Sequence, residues 1–330
     1  MRKTWVDMLR GLAIILVIFG HCLNSIRETG YFVFTSPVKM PLFFLIAGYC
    51  FNARGGDVLV FSKHIITRLV VPWLVLGIVP LIIASPLKGA GWLWNGILDV
   101  LTGRALWFMP CFIISQVILF VTLKFVRNDI VASAISVVVS VFGFLMASNG
   151  GGNLFMAKTA LSVSWLMMAG HIFRKYEDSF RSLDIRWTIL MVGVYIGLGV
   201  LSLRLYPGKC LDVHTVSYYD LILCLAMIIS GNLVLFLATP KLEGKLLPCI
   251  GRHTLMIYIW GAYASALCIY LMKHVGLALP VYLNAFVVTV FSVALCTLLS
   301  IMANRYAPWI VGSPADRLQK IKKCSEISRR

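Results

Sequence analysis

The stretch DMLRGLAIILVIFGH, residues 7–21, decides the fold class, because it is a membrane-length apolar segment that carries ionisable side chains. Arg10 and His21 are eleven residues apart, so at about 100° per residue they lie on one stripe of a helix, about 16 Å apart. Ionisable side chains are costly in hydrocarbon and usually face the interior of a helix bundle or a cavity. The segment therefore predicts a membrane helix along a polar pathway, with Arg10 at its entrance and His21 near mid-bilayer.

The composition extends this prediction to the whole chain. Of the 330 residues, 60% are hydrophobic and only 13% are charged, and the mean hydropathy is +0.89. Such a chain is too apolar for an ordinary soluble domain, and its segments lack the alternating polarity of membrane barrel strands. We predict an all-α polytopic membrane protein with about ten transmembrane helices, at 8–26, 38–53, 69–87, 105–126, 130–148, 157–173, 187–206, 219–238, 254–272 and 282–303.

The basic residues predict the orientation through the positive-inside rule. With the amino terminus in the cytoplasm, 22 of the 30 lysines and arginines fall on the cytoplasmic side. We therefore expect both termini in the cytoplasm, a transmembrane domain over 1–303 and a basic cytoplasmic tail over 304–330. The net charge of +17 suits anionic lipid headgroups or a phosphate-bearing ligand. Because this charge is dispersed over short loops, we expect no nucleic-acid partner.

The cysteines and the loops between the predicted spans allow further predictions. The nine cysteines form no C-x-x-C pair and most fall within predicted spans, so we expect neither a disulfide framework nor a metal site. Asp7 and Arg10 interrupt the first apolar run, so it is expected to be retained as a helix and not cleaved as a signal peptide. The loop 54–68 predicts a short amphipathic helix before the third span. The stretch 89–101 predicts an interfacial helix on the outer side.

Five motifs in order give the chain a resemblance to a known family. They are the stretch 7–21, KMPLFFLIAGY at 39–49, RLVVPW at 68–73, LWFMP at 106–110 and IGRHTLMIYIW at 250–260. Over about 300 of the 330 residues the chain resembles the acyltransferase-3 family of membrane acyltransferases, and within it the fucose 4-O-acetylase-like members. The resemblance implies a ten-helix enzyme that takes an acyl group, usually acetyl from acetyl-CoA, in the cytoplasm and delivers it to a carbohydrate hydroxyl outside.

The resemblance also implies roles within the first helix. The family pattern of an arginine, ten residues and a histidine falls on Arg10 and His21 without a gap. Because a sugar hydroxyl is a weak nucleophile and histidine titrates near neutral pH, we expect His21 to be the catalytic base. An acetyl-imidazole intermediate on His21 stays open as the alternative. We expect Arg10 to bind a coenzyme A phosphate and Asp7 to orient Arg10 by pairing with it.

Cofactor binding is also expected of the basic motif ahead of the third span. Arg68 precedes a proline as in the family, but the second arginine that many members carry three residues upstream is replaced here by Ile65. We expect Lys63 to substitute for it, with His64 nearby. A further departure is Gly261, where relatives often have a histidine. Acetyl-CoA is thus the expected acyl donor and co-substrate, and no metal is expected.

The expected partners are membrane lipids, an acyl-CoA and a carbohydrate or lipid-linked glycan acceptor, at the multi-pass cytoplasmic membrane of a bacterial cell. Candidates for acceptor recognition on the outer side are Arg27, Glu28, Tyr31, Trp92, Trp94, Asn95, Tyr218 and Tyr219. A secondary transporter or flippase of a sugar-containing substrate, with Arg10 and His21 as a relay, is the alternative from another class. The lack of a convincing internal repeat argues against it. A non-catalytic membrane scaffold is a third interpretation, and it predicts no coenzyme binding.

Overall fold

The computed structural model of the chain describes residues 3–23, 30–52 and 56–312, apart from the side chain of Leu87. Within these ranges, nine helical segments are long and apolar enough to cross a membrane, which confirms the predicted all-α polytopic fold. Residues 313–330 of the predicted tail lie outside the described ranges. The helices are α1 (Thr4–Cys22), α2 (Gly30–Cys50), α3 (Val58–Ile65), α4 (Val71–Lys88), α5 (Ala90–Leu101), α6 (Phe108–Phe125), α7 (Asp129–Ser148), α8 (Ala157–Ser162), α9 (Ser164–Lys175), α10 (Glu177–Arg181), α11 (Ile185–Leu205), α12 (Leu221–Ala238), α13 (Leu246–Gly251), α14 (Thr254–His274) and α15 (Val281–Tyr306).

The sixth predicted span, 157–173, has no counterpart among these nine segments; it is occupied by two shorter helices, α8 and α9, which meet at Val163. Opposite this break, the Ser140 hydroxyl of α7 accepts a hydrogen bond from the backbone N–H of Trp165, with a donor–acceptor distance of 3.1 Å. The same hydroxyl lies 3.0 Å from that of Ser164. These bonds satisfy polar groups that the interrupted helix leaves without a helical partner. The region is therefore helical as predicted, but it is not one continuous helix, and its crossing of the membrane stays a prediction.

The predicted short helix before the third span is confirmed, and it continues into that span without a loop. Asp57 caps α3 by accepting hydrogen bonds from the backbone N–H groups of Leu59 and Val60, at 2.8 and 3.3 Å. Between α3 and α4, the segment Ile66–Val70 forms a π-helical turn. Such a turn inserts one extra residue into a helix and is frequent at functional sites. Arg68 lies in this turn.

The helix predicted at 89–101 also forms, as α5, but its direction differs from the prediction. Instead of lying along the outer surface, α5 folds back along α4, and a Cβ at Gly77 would lie 3.1 Å from Val100. Gly77 is eleven residues before the end of α4 at Lys88, which is about 16 Å along the helix. The missing side chain at Gly77 makes room for Val100, so the end of α5 reaches deep into the bundle. The next helix, α6, begins at Phe108.

The first helix lies at the centre of the bundle. It packs against α2, α13, α14 and α15. The contact with α13 is so close that a Cβ at Gly251 would overlap the carbonyl oxygen of Asp7, and only glycine permits that approach. This close contact encloses the beginning of α1, which carries Asp7 and Arg10.

The first helix ends about halfway along its neighbours. Ile18 contacts α14 at Gly261, where a Cβ would lie 2.5 Å from Ile18 Cδ1, and the Thr289 hydroxyl of α15 donates to Cys22 Sγ at 3.9 Å. Gly261 lies thirteen residues, about 20 Å, before the end of α14, and Thr289 lies eight residues, about 12 Å, after the start of α15. His21 therefore lies about 15 Å below the predicted outer ends of these two helices.

Candidate active site

A cavity of about 410 Å³ lies among α1, α2, α3, α6 and α14. It begins at the predicted cytoplasmic side, because Asn52 follows the end of α2, Thr254 starts α14 and Gly312 follows the end of α15, and all three line it. The volume is in the range of small-molecule sites. Three basic side chains line this end of the cavity, and we call them the basic mouth: Arg10, His64 and Arg68.

Arg10 is held from two sides at the basic mouth. Its Nη1 lies 3.5 Å from Oδ1 of Asp7, and its Nη2 lies 3.6 Å from Sγ of Cys50. The Asp7 side chain is only 1% exposed and also lies 3.7 Å from Nε of Arg252. The predicted pair between Asp7 and Arg10 is therefore present, and the Arg10 side chain keeps 30% of its surface accessible. The geometry permits Asp7 to direct Arg10 towards the cavity, although that function stays a prediction.

The residues around Arg68 face three different environments. His64 lines the cavity together with Arg68, whereas Ile65 is buried in the apolar core. Lys63 is exposed and does not line the cavity. The structure thus brings His64, and not Lys63, together with Arg10 and Arg68. A coenzyme-binding role for Lys63 stays a prediction that this placement does not favour.

The residues that α1 contributes to the cavity form a single stripe. They are Arg10, Ile14 and Val17, at positions i, i+4 and i+7. His21, at i+11, is the next position of the stripe, but it lies beyond the cavity, exposed, in the last turn of α1. The cavity therefore approaches His21 to within one helical turn, about 6 Å along the axis. Arg10 and Arg68 share the cavity, whereas His21 lies outside it on the predicted outer side.

Aromatic side chains line the deep part of the cavity, and we call Phe43, Phe108 and Tyr258 its end wall. Phe108, the first residue of α6, donates a backbone hydrogen bond to the Tyr258 hydroxyl at 3.2 Å. The centroid of its ring lies 5.6 Å from that of Phe43 and 5.4 Å from that of Tyr258. Beyond the motifs LWFMP and IGRHTLMIYIW, no sequence signal indicated this arrangement, since aromatic residues in spans usually serve packing.

Two side chains of α2 flank the turn of α1 that carries His21. A Cβ at Gly20 would lie 3.1 Å from Nζ of Lys39 and 3.5 Å from Cε1 of Tyr31. The Tyr31 hydroxyl donates a hydrogen bond to the carbonyl oxygen of Leu16 at 2.7 Å. Tyr31 was one of the predicted acceptor candidates, whereas Lys39 was missed. Two other acceptor candidates, Arg27 and Glu28, lie outside the described residues.

The fold and the basic mouth define a polytopic membrane protein with an internal cavity suited to an anionic ligand. Comparison with protein families identifies the class of enzyme, because the family model described as acyltransferase domain matches residues 3–302. The chain belongs to this acyltransferase-3 family and is an integral multi-pass membrane acyltransferase. No curated protein and no solved structure matches the chain. The fucose 4-O-acetylase-like specificity stays a prediction.

Proposed function

We propose that this enzyme moves an acetyl group from cytoplasmic acetyl-CoA to a hydroxyl of a carbohydrate or lipid-linked glycan on the outer side of a bacterial cell membrane. One observation carries the proposal. Arg10, Ile14 and Val17 line the cavity on one stripe of α1, and His21 follows on that stripe about one turn beyond the cavity. Transfer across a membrane needs a donor site that opens to the cytoplasm and a base, near mid-depth, that an acceptor reaches from the outer side.

The cavity matches the chemistry of an acyl-CoA. Arginine binds phosphate through two parallel N–H bonds, and Arg10 and Arg68 present two guanidinium groups at one end of the cavity. His64 adds a third nitrogen donor there. The walls deeper in the cavity, formed by residues such as Ile14 and Val17, are apolar and suit the uncharged arm that ends in the thioester. The thioester then lies at the end nearest to His21.

His21 supplies the chemistry of transfer in the proposed mechanism. Its neutral imidazole removes the proton of the acceptor hydroxyl as the oxygen attacks the thioester carbonyl. The carbon–sulfur bond breaks, and coenzyme A leaves as a thiolate that takes up a proton. In the alternative sequence, the His21 imidazole attacks the thioester first and the acceptor hydroxyl then removes the acetyl group from it. The exposure of His21 at mid-depth supports access of an acceptor from the outer side.

The experiment that tests this function uses the full chain in liposomes with acetyl-labelled acetyl-CoA and a membrane extract rich in glycans. We expect label in the carbohydrate fraction with the wild-type protein and none with His21→Ala or His21→Asn. The matched control is His274→Asn, which changes an exposed histidine at the end of α14. Normal transfer by His21→Ala would remove the assigned base. Transport of a glycan lipid with intact acetyl-CoA would instead favour the flippase alternative.

A further inference from the structure

We propose that Phe108, held in place by Tyr258, sets the length of the acyl group that the enzyme accepts. This inference rests on the proposed function, because it takes the cavity as the site of the acyl donor. It concerns the end wall, where α1, α2, α6 and α14 meet.

Phe108 lies where the acyl end of the donor is expected. Tyr258 precedes Gly261 by three residues, and Gly261 contacts Ile18, so Tyr258 lies level with the part of α1 between Ile14 and Val17. The backbone N–H of Phe108 lies 3.2 Å from the hydroxyl oxygen of Tyr258, and both residues line the cavity. Because the basic mouth holds the phosphates at the other end, the acyl group points towards Phe108.

The Phe108 ring has little room to move. It is 8% exposed and lies against four aromatic rings from three helices. The distances between ring centroids are 5.6 Å to Phe43, 5.3 Å to Phe44, 5.1 Å to Phe112 and 5.4 Å to Tyr258. The hydrogen bond to Tyr258 also fixes the backbone, since it occupies one of the N–H groups that the start of a helix leaves without a partner.

A wall fixed in this way discriminates between acyl groups by size. A well-packed site resists extra methylene groups because neighbouring side chains would have to leave their preferred rotamers. One methylene in a pocket that does not adapt changes kcat/KM by roughly 10- to 200-fold. The structure therefore assigns to Phe108 the exclusion of donors with acyl groups longer than acetyl.

The test compares butyryl-CoA with acetyl-CoA as donors for the full chain in detergent. A membrane extract rich in glycans supplies the acceptor hydroxyls, and acyl transfer is measured as the rate of thiol release. We expect Phe108→Ala to raise the ratio of kcat/KM for butyryl-CoA to that for acetyl-CoA at least tenfold. Tyr258→Phe keeps the ring but loses the hydrogen-bond acceptor, so it is expected to shift the ratio in the same direction by less. The matched control is Phe142→Ala, an exposed phenylalanine of α7 that does not line the cavity, which is expected to leave the ratio unchanged.

An unchanged ratio in Phe108→Ala, or an equal shift in Phe142→Ala, overturns the assignment. Size-exclusion chromatography reports whether each variant is folded, and Phe108→Leu gives the same comparison, with a smaller expected shift, if the alanine variant aggregates. The same assay distinguishes failure of the proposed function from failure of the acyl-length assignment. A wild-type protein that releases thiol from neither donor refutes the proposed function, whereas a wild type that releases thiol with a ratio insensitive to Phe108 refutes only the length assignment.

Discussion

One oxygen of the Asp7 carboxylate lies 3.5 Å from Arg10, and the other lies 3.7 Å from Arg252. A single acid, 1% exposed, thus positions two cations at the start of α1. At the same residue, α13 packs directly on the backbone of α1, since a Cβ at Gly251 would overlap the Asp7 carbonyl oxygen. If Arg10 binds the donor as proposed, donor binding and the ion pairs at the start of α1 depend on the same side chain.

Removing the charge of Asp7 is expected to lower the stability of the protein and to weaken its binding of acetyl-CoA. Asp7→Asn keeps the size of the side chain but weakens two charged contacts, and we expect a loss of about 1–3 kcal/mol in stability and a higher KM for acetyl-CoA. Thermal unfolding in detergent and steady-state kinetics measure the two effects. Asp184→Asn is the control, since Asp184 pairs at 3.7 Å with Arg186 on an exposed surface, where such a pair contributes little. Equal unfolding temperatures for both variants would contradict this prediction.

The arginines of the basic mouth are expected to act on the phosphates of the donor. Losing a charged hydrogen bond costs about 1.5–3 kcal/mol, so Arg10→Ala and Arg68→Ala are expected to raise the KM for acetyl-CoA roughly 10- to 100-fold. With acetyl-pantetheine, which lacks the nucleotide phosphates, the same variants are expected to match the wild type. Arg204→Ala, an exposed arginine at the end of α11, is the control. Similar losses with both donors would show that the arginines do not act through phosphate.

The structure also ranks two neighbouring basic residues of α3. His64 lines the cavity and Lys63 does not, so His64→Ala is expected to raise the KM for acetyl-CoA more than Lys63→Ala does. Kinetics of the two single variants and of the double variant measure this directly. A larger effect at Lys63 would restore the interpretation drawn from the sequence alone.

The carboxyl group of Glu177 is expected to make the protein sensitive to acid. Burial acts to raise its pKa, but hydrogen bonds from Lys3 and Tyr49 and the charge of Arg181 outweigh burial and hold the pKa below the ordinary value of about 4.5. A pKa that is lower in the folded state contributes stability that is present above the unfolded pKa and lost as the pH falls through the folded one. We expect the melting temperature to fall below about pH 4.5, and less so in Glu177→Gln. Glu243→Gln, at an exposed position, should behave as the wild type.

The break between α8 and α9 provides a test of stability. Ser140→Ala removes the acceptor for the backbone N–H of Trp165, and an unsatisfied buried polar group costs about 1–3 kcal/mol. We expect a lower melting temperature with little change in the KM for acetyl-CoA. Ser148→Ala, at the exposed end of the same helix, is the control, and a melting temperature equal to that of the control would count against the capping role of Ser140.

Much of the fold could be predicted because the length of an apolar segment determines whether it spans a membrane. The features that escaped prediction depend on contacts between segments distant in the chain. The break at Val163 requires Ser140 on another helix, and the direction of α5 requires the space at Gly77. The mean hydropathy of a single segment carries no information about either contact, because each contact involves two segments.

The candidate site was predictable where it follows the period of a single helix. The spacing of Asp7, Arg10 and His21 placed them on α1 as the structure has them, and the pair between Asp7 and Arg10 was expected. The same spacing did not indicate where the cavity ends, so the position of His21 beyond it was not foreseen. The Phe108 contact with Tyr258 joins two helices and looks like ordinary packing in the sequence.

The π-helical turn Ile66–Val70 joins α3 to α4 and places one extra residue between the two helices. Each residue corresponds to about 100° of rotation, so the face of α3 that carries His64 is set at its angle to α4 by this one insertion. Deleting a single residue from the turn would restore ordinary helical phase and rotate that face by the same angle. His64 would then turn relative to α4 and to the cavity that it lines, which would separate carrier recognition from the membrane scaffold without altering its side chain.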